Sequence, residues 1–112
     1  MKTYVKTCNE IAGMHYWSDA IHHVDFLKYP HRHVFHITAY FEVENPDREI
    51  EIFVRQNQIR KYLERKYKRL DGLCHFDGMS CEMIAKEILD TFKAAACEVN
   101  EDGKGGAMVV RQ

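Results

Sequence analysis

Proline is scarce in this chain, with only Pro30 and Pro46 in 112 residues, and no Ser-, Gly- or Pro-rich tract interrupts it. Linkers and low-complexity segments are thereby excluded, and the length suits one domain with a single core. An excess of charge of either sign is also missing: 16 Lys and Arg face 17 Asp and Glu, for a net charge of −1. Neither nucleic acid nor an anionic membrane is called for as a partner. The Lys- and Arg-rich stretch from Arg55 to Arg69 reads as the solvated face of a helix. No apolar run is long enough to span a bilayer, and Met1-Lys2-Thr3-Tyr4-Val5-Lys6 lacks the apolar segment of a secretory leader. A cytoplasmic location is expected. The four cysteines, Cys8, Cys74, Cys81 and Cys97, show no CxxC spacing. That argues against a four-cysteine zinc site or a thioredoxin motif, and free thiols are expected.

What the chain does have is histidine, seven in all, and the run Tyr29-Pro30-His31-Arg32-His33-Val34-Phe35-His36 is its most informative segment. Pro30 cannot sit within a central strand, whereas Val34, Phe35, Ile37, Thr38, Tyr40 and Phe41 favour one. In a strand opening near His31, the period of two puts His31 and His33 on the same face. That face continues through Phe35, Ile37, Ala39, Phe41 and Val43, so the pair lies at the rim of an apolar surface. Two adjacent imidazoles can reach one metal ion, and a catalytic zinc normally takes three protein ligands and leaves one position open. The plainer alternative is a pair of polar residues at a solvated strand end. A metal requires a third ligand.

Along the chain, residues 3–16 read as a strand weakened by Gly13, and 17–30 as a long loop over the site. Residues 32–44 form a strong strand, and Asn45-Pro46-Asp47 a turn. Residues 48–54 alternate, with Ile50, Ile52 and Val54 on one face, and are expected to pair with the preceding strand as a hairpin. From Gln56 the period becomes helical, with Ile59, Tyr62, Leu63, Tyr67 and Leu70 on one stripe until Asp71-Gly72. A second helix is expected from Ser80 to Ala95, with Ala85, Ile88, Leu89 and Phe92 on one face. Two short strands, 97–101 and 107–110, follow, joined at Gly103-Lys104-Gly105-Gly106. The expected class is α+β: a four-stranded antiparallel sheet in the order ββααββ, with two helices on one face. Cys97, Val99 and Glu101 share a strand face, so Glu101 ends an apolar stripe. It reaches either solvent or a partner that offers paired N–H donors.

This order, with a His pair opening the second strand, resembles the 6-pyruvoyl tetrahydropterin synthase / 6-carboxytetrahydropterin synthase family over nearly the whole chain. The resemblance implies a tunnelling (T-) fold in a single domain, 1–112. His15, in Gly13-Met14-His15, resembles the family's first zinc histidine, which makes His15, His31 and His33 the expected Zn²⁺ ligands. A water or ligand oxygen is expected in the fourth position. Ile50-Glu51-Ile52-Phe53 echoes an acidic-aromatic segment of the family, and Met79-Ser80-Cys81-Glu82 its helix-opening motif, which brings in Ser80 and Glu82 as ligand-binding candidates. Glu82 also suits a helix first turn for dipole reasons alone. Val99-Asn100-Glu101-Asp102 matches the segment whose glutamate anchors the pterin ring. The resemblance further implies self-association as a trimer or hexamer, with the site between subunits.

The pattern breaks where the family's chemistry lies. Its nucleophilic Cys has no counterpart: Leu27 stands four residues before His31, and no Cys occurs between Cys8 and Cys74. Arg32 replaces the usual Gly between the two histidines. The family's Asp-His pair is interrupted, since Gly72 follows Asp71 and His75 comes later. Cys74, His75 and Asp71 remain the candidates for a displaced substitute. Three functions compete. One is a zinc-dependent lyase on dihydroneopterin triphosphate, of the type used in pterin or queuosine biosynthesis. Another is a relative that keeps metal and a pterin or purine pocket without synthase chemistry. The third is an oligomeric structural protein with a vestigial site.

Overall fold

The computed structural model describes residues 1–112. Two strands of 13 residues dominate it, β1 (Thr3–His15) and β2 (His31–Val43). They pair antiparallel over their full length, from Thr3 opposite Val43 to His15 opposite His31. Then come α1 (Ile52–Tyr67), β3 (Cys74–Asp77), α2 (Cys81–Phe92), β4 (Ala96–Glu101) and β5 (Gly105–Val110). The class is α+β, as expected. The sheet, however, has five strands in the order β3-β1-β2-β4-β5, and β3 runs parallel to β1. The expected four-stranded, wholly antiparallel sheet is thus corrected. β3 spans four residues, too few for a period of two to be read in the sequence.

A second correction falls on residues 48–54, which form no strand. Arg48 takes a left-handed φ of 57°, and Glu51 caps α1, its carboxylate accepting the Val54 N–H at 3.1 Å. The capped backbone outweighs the short apolar alternation, and Ile52, Phe53 and Val54 stay exposed. At its other end α1 stops at Tyr67, leaving Leu70 outside the helix and exposed. α2 begins where expected, with Ser80 as N-cap, and closes at Lys93, whose φ of 57° ends the helix. The expected loop over the site contains a short 3-10 helix, His22–Lys28, with no buried residue.

Both helices pack on one face of the sheet, α1 against β1 and α2 against β4 and β5. Between them lies one core, in which Phe35, Ile37, Ala39 and Phe41 of β2 meet Ile59 and Leu63 of α1 and Ile84, Ile88 and Leu89 of α2. Core and histidines occupy one face because the strand period carries them there together, so the site forms where the apolar stripe ends. Gly13 is needed in β1: a Cβ there would lie 2.9 Å from the Cys74 carbonyl oxygen and from the Phe76 ring. Its bare backbone lets β3 and Phe76 close against the strand that ends in His15.

Candidate metal centre

Strand ends bring the histidines together. β1 delivers His15 and β2 delivers His31 directly opposite it, with His33 two residues further along the same face. β4 pairs with β2 so that Glu101 faces Phe35, one face position beyond His33. One donor atom from each of His15, His31, His33 and Glu101 lies within 4.8 Å of all the others, a group that could hold a metal ion. Ligands of a tetrahedral zinc at ~2.0 Å would stand ~3.3 Å apart, so small side-chain movements suffice.

The hydrogen bonds around this group decide what it presents. His15 Nδ1 lies 2.9 Å from the Met79 carbonyl oxygen, and His31 Nδ1 2.9 Å from that of Tyr29. A carbonyl only accepts, so both Nδ1 atoms carry the proton and a neutral ring must present a bare Nε2. His33 Nδ1 lies 2.7 Å from Asp102 Oδ2, which fixes its tautomer in the same way. Tethering each ligand ring through its second nitrogen to a carbonyl or carboxylate is the usual support of a metal site. Asp102 is itself immobilised. Its other oxygen accepts the Val34 N–H at 2.8 Å, and its own N–H donates to the Val34 carbonyl at 2.8 Å. The Val34 amide and the His33 ring hold its carboxyl below the usual range.

Toward the centre the opposite holds. His15 Nε2 is buried without a hydrogen-bond partner. Glu101 Oε2 stands 2.7 Å from it and 3.2 Å from His33 Nε2, yet neither contact is aligned as a hydrogen bond. A neutral imidazole with its proton on Nδ1 turns a lone pair toward that carboxylate, and the two repel unless a proton or a metal cation lies between them. Three imidazoles and a carboxylate are also a donor set suited to a divalent transition metal.

Asp102 escaped the sequence reading although its signal was there. Asp102-Gly103 is a strong turn dipeptide, both residues have positive φ (57° and 71°), and the Lys104 N–H reaches the Glu101 carbonyl at 3.0 Å. This is a primed hairpin turn, and it corrects the expected Gly103–Gly106 loop. The turn orients the carboxylate of Asp102 toward β2 beside His33.

A cavity of about 350 Å³ opens beside the group, lined among others by His15, His31, Trp17, Leu27, Cys81 and Glu101. Both Ser80 and Glu82 line it as well. Ser80 spends its hydroxyl on capping, accepting the Met83 N–H at 3.2 Å. Glu82 is exposed in the first turn of α2. No lysine or arginine lines this cavity. Burial, aided by the charges of Glu101 and Glu82, pushes the Cys81 thiol up to about 12, so it is no ready nucleophile.

The three catalytic candidates part company. Cys74 points into the core, and burial with the nearby Glu64 charge pushes its thiol up to about 11. Asp71 and His75, four residues apart where the resemblance implies an uninterrupted pair, do meet: His75 Nε2 lies 2.8 Å from Asp71 Oδ2. Gly72, at φ 85°, turns the chain back so that the four-residue spacing is bridged. Neither residue lines the 350 Å³ cavity. His75 borders a smaller one, of about 260 Å³, with Arg69, Asp77 and His15. Of the remaining histidines, His36 faces Glu10 on the other face of the sheet at 3.7 Å, while His22 and His23 are exposed. No family model matches the chain, and no curated protein matches it. No helix is long and apolar enough to cross a membrane.

Proposed function

We propose that this chain is a Zn²⁺-binding protein with a pterin- or purine-type pocket, a divergent T-fold relative of the 6-pyruvoyl tetrahydropterin synthases that lacks their synthase chemistry. The observation that carries this reading is the inward convergence of three imidazoles whose outer nitrogens are all engaged. His15, His31 and His33 would hold the ion, with Glu101 in reach of it. Zinc would supply a fixed positive charge able to polarise a ligand oxygen. Glu101 would serve either the ion or the N–H edge of a ring, and Trp17 and Leu27 would cover the ring's faces. The cavity's two carboxylates and missing lysine and arginine favour a neutral, N–H-rich ligand over a triphosphate. The short parallel strand β3 departs from the four-stranded antiparallel pattern, and the T-fold part of this reading rests on the remaining strands β1, β2, β4 and β5.

Absence of a thiol at Leu27 motivates the loss of chemistry. Turnover of dihydroneopterin triphosphate is expected to be weak or absent; a rate normal for the family and insensitive to Cys74→Ala would overturn that part. The Asp71–His75 pair favours a second reading, an active lyase in which a neighbouring copy's pair serves the site. Self-association as a trimer or hexamer is supported by the unpaired edges of β3 and β5. Light scattering that gives a monomer mass would refute it. Trp17, the single tryptophan, lines the cavity and provides the ligand test. Titration with a reduced pterin or with guanine is expected to quench its fluorescence, and Glu101→Ala to abolish the quenching. No quenching by either compound would sink the pocket assignment.

A further inference from the structure

Glu87 of α2 binds two phenols of α1, Tyr62 at 2.7 Å and Tyr67 at 2.6 Å, and the Lys66 ammonium at 3.0 Å. The two tyrosines differ in what else they touch. Tyr62 turns to the helix pair, with its ring 5.6 Å from that of Phe92. Tyr67 reaches the β3–α2 connection: its hydroxyl is 3.4 Å from Met79 Sδ, and its ring centroid is 4.9 Å from that of Phe76. Phe76 and Met79 bracket a turn closed by the Met79 N–H on the Phe76 carbonyl at 3.1 Å. The carbonyl of that same Met79 accepts the Nδ1 proton of His15. From the other side Phe35 supports both, with ring centroids 5.1 Å from Phe76 and 5.1 Å from His15.

We propose that Tyr67, immobilised by Glu87, is a positioning residue for His15, acting through the Phe76–Met79 turn. The charged carboxylate is the stronger acceptor for the phenol proton, so the Met79 thioether packs against an oxygen whose place Glu87 has fixed. Met79 is thereby held at its side chain, and its carbonyl stays where it keeps the His15 proton on Nδ1 and the lone pair of Nε2 turned inward. The inference rests on His15 being a metal ligand, and its test separates the two.

The test compares Tyr67→Phe with Tyr62→Phe, because each removes one hydrogen bond to Glu87 but only the first loosens Met79. With Co²⁺ as the probe metal, Tyr67→Phe is expected to shift the visible absorption bands and to weaken binding about tenfold in chelator competition. Tyr62→Phe is expected to lose similar stability in urea while keeping the wild-type spectrum and affinity. Glu87→Gln, which still offers Tyr67 an acceptor, should rescue the spectrum that Glu87→Leu disturbs. A wild-type spectrum and affinity in Tyr67→Phe would overturn the proposal. If the wild type takes up no Co²⁺ or Zn²⁺, the metal reading fails, and nitrogen NMR of the metal-free protein decides the positioning role. His15 is then expected to be a single Nδ1–H tautomer that becomes mixed in Tyr67→Phe, and an unmixed tautomer in that variant would overturn the proposal.

Discussion

Two polar clusters flank the core, each with a partly buried carboxylate at its centre, and they are finished differently. Around Glu87 every donor finds its acceptor: two phenols and an ammonium converge on two oxygens. Burial works against the charge of Glu87, but the hydrogen bonds from Tyr67, Tyr62 and Lys66 outweigh it and hold the carboxyl below its ordinary value of 4.5. Around Glu101 the outer nitrogens are equally well served, while the inner ones face a carboxylate with no aligned hydrogen bond. A satisfied cluster is complete in itself, tying the helices together and fixing Tyr67. An unsatisfied one, built from well-supported side chains, is a place for something else.

The sharpest way to break this comparison is to remove a ligand. His33→Ala is expected to abolish most metal binding, measured by elemental analysis of purified protein, whereas His36→Ala and His23→Ala keep it. Protein grown with zinc and purified without any divalent metal would make the two clusters alike. So would metal lost in His36→Ala but kept in His33→Ala.

Next in size is the effect of Asp102→Asn, which leaves the ligands in place but weakens the hold on His33. Metal affinity should fall about tenfold by chelator competition. Unchanged affinity would show that the tethers do not matter to the inward geometry.

Glu87→Ala tests the other cluster, leaving two phenols without their acceptor. A loss of about 2 kcal/mol in urea denaturation is expected, with metal stoichiometry unchanged. Loss of metal without loss of stability would reverse the roles assigned here.

The pH dependences should also separate the clusters. Since the folded carboxyl of Glu87 lies below its unfolded value, its stabilisation is present above about pH 4.5 and is lost as pH falls through the folded pKa. Metal affinity should fall on acidification already above that range, because a protonated imidazole cannot be a ligand. Metal lost only in the pH range where the Glu87 contribution is lost would show that the carboxylate cluster, and not the imidazoles, sets the acid limit of binding. The smallest effect is expected for Cys74→Ala, a modest stability loss in urea with metal binding unaffected.

Much of the site could be read from local pattern. The period of two set His31 and His33 on the core face and His36 on the other, and it ended the stripe of Cys97 and Val99 with Glu101. Helix stripes marked Ile59, Leu63, Ile88 and Leu89 as buried. The failures share a cause. Residues 48–54 alternate like a strand, but the Val54 N–H donates to the Glu51 carboxylate and caps a helix there instead. β3 is too short to carry a period and exists because Gly13 lets it approach. Asp71 and His75 pair only because Gly72 reverses the chain.

The sequence by itself determined which residues share a face, because strand and helix periods are properties of the local backbone. Only the tertiary structure decided which faces meet. The register of β1 on β2 set His15 opposite His31, and the pairing of β4 with β2 brought Glu101 to within 3.2 Å of His33. The Asp102-Gly103 turn then placed a carboxylate behind His33. Each of these depends on contacts between residues far apart in the chain, which no local period encodes.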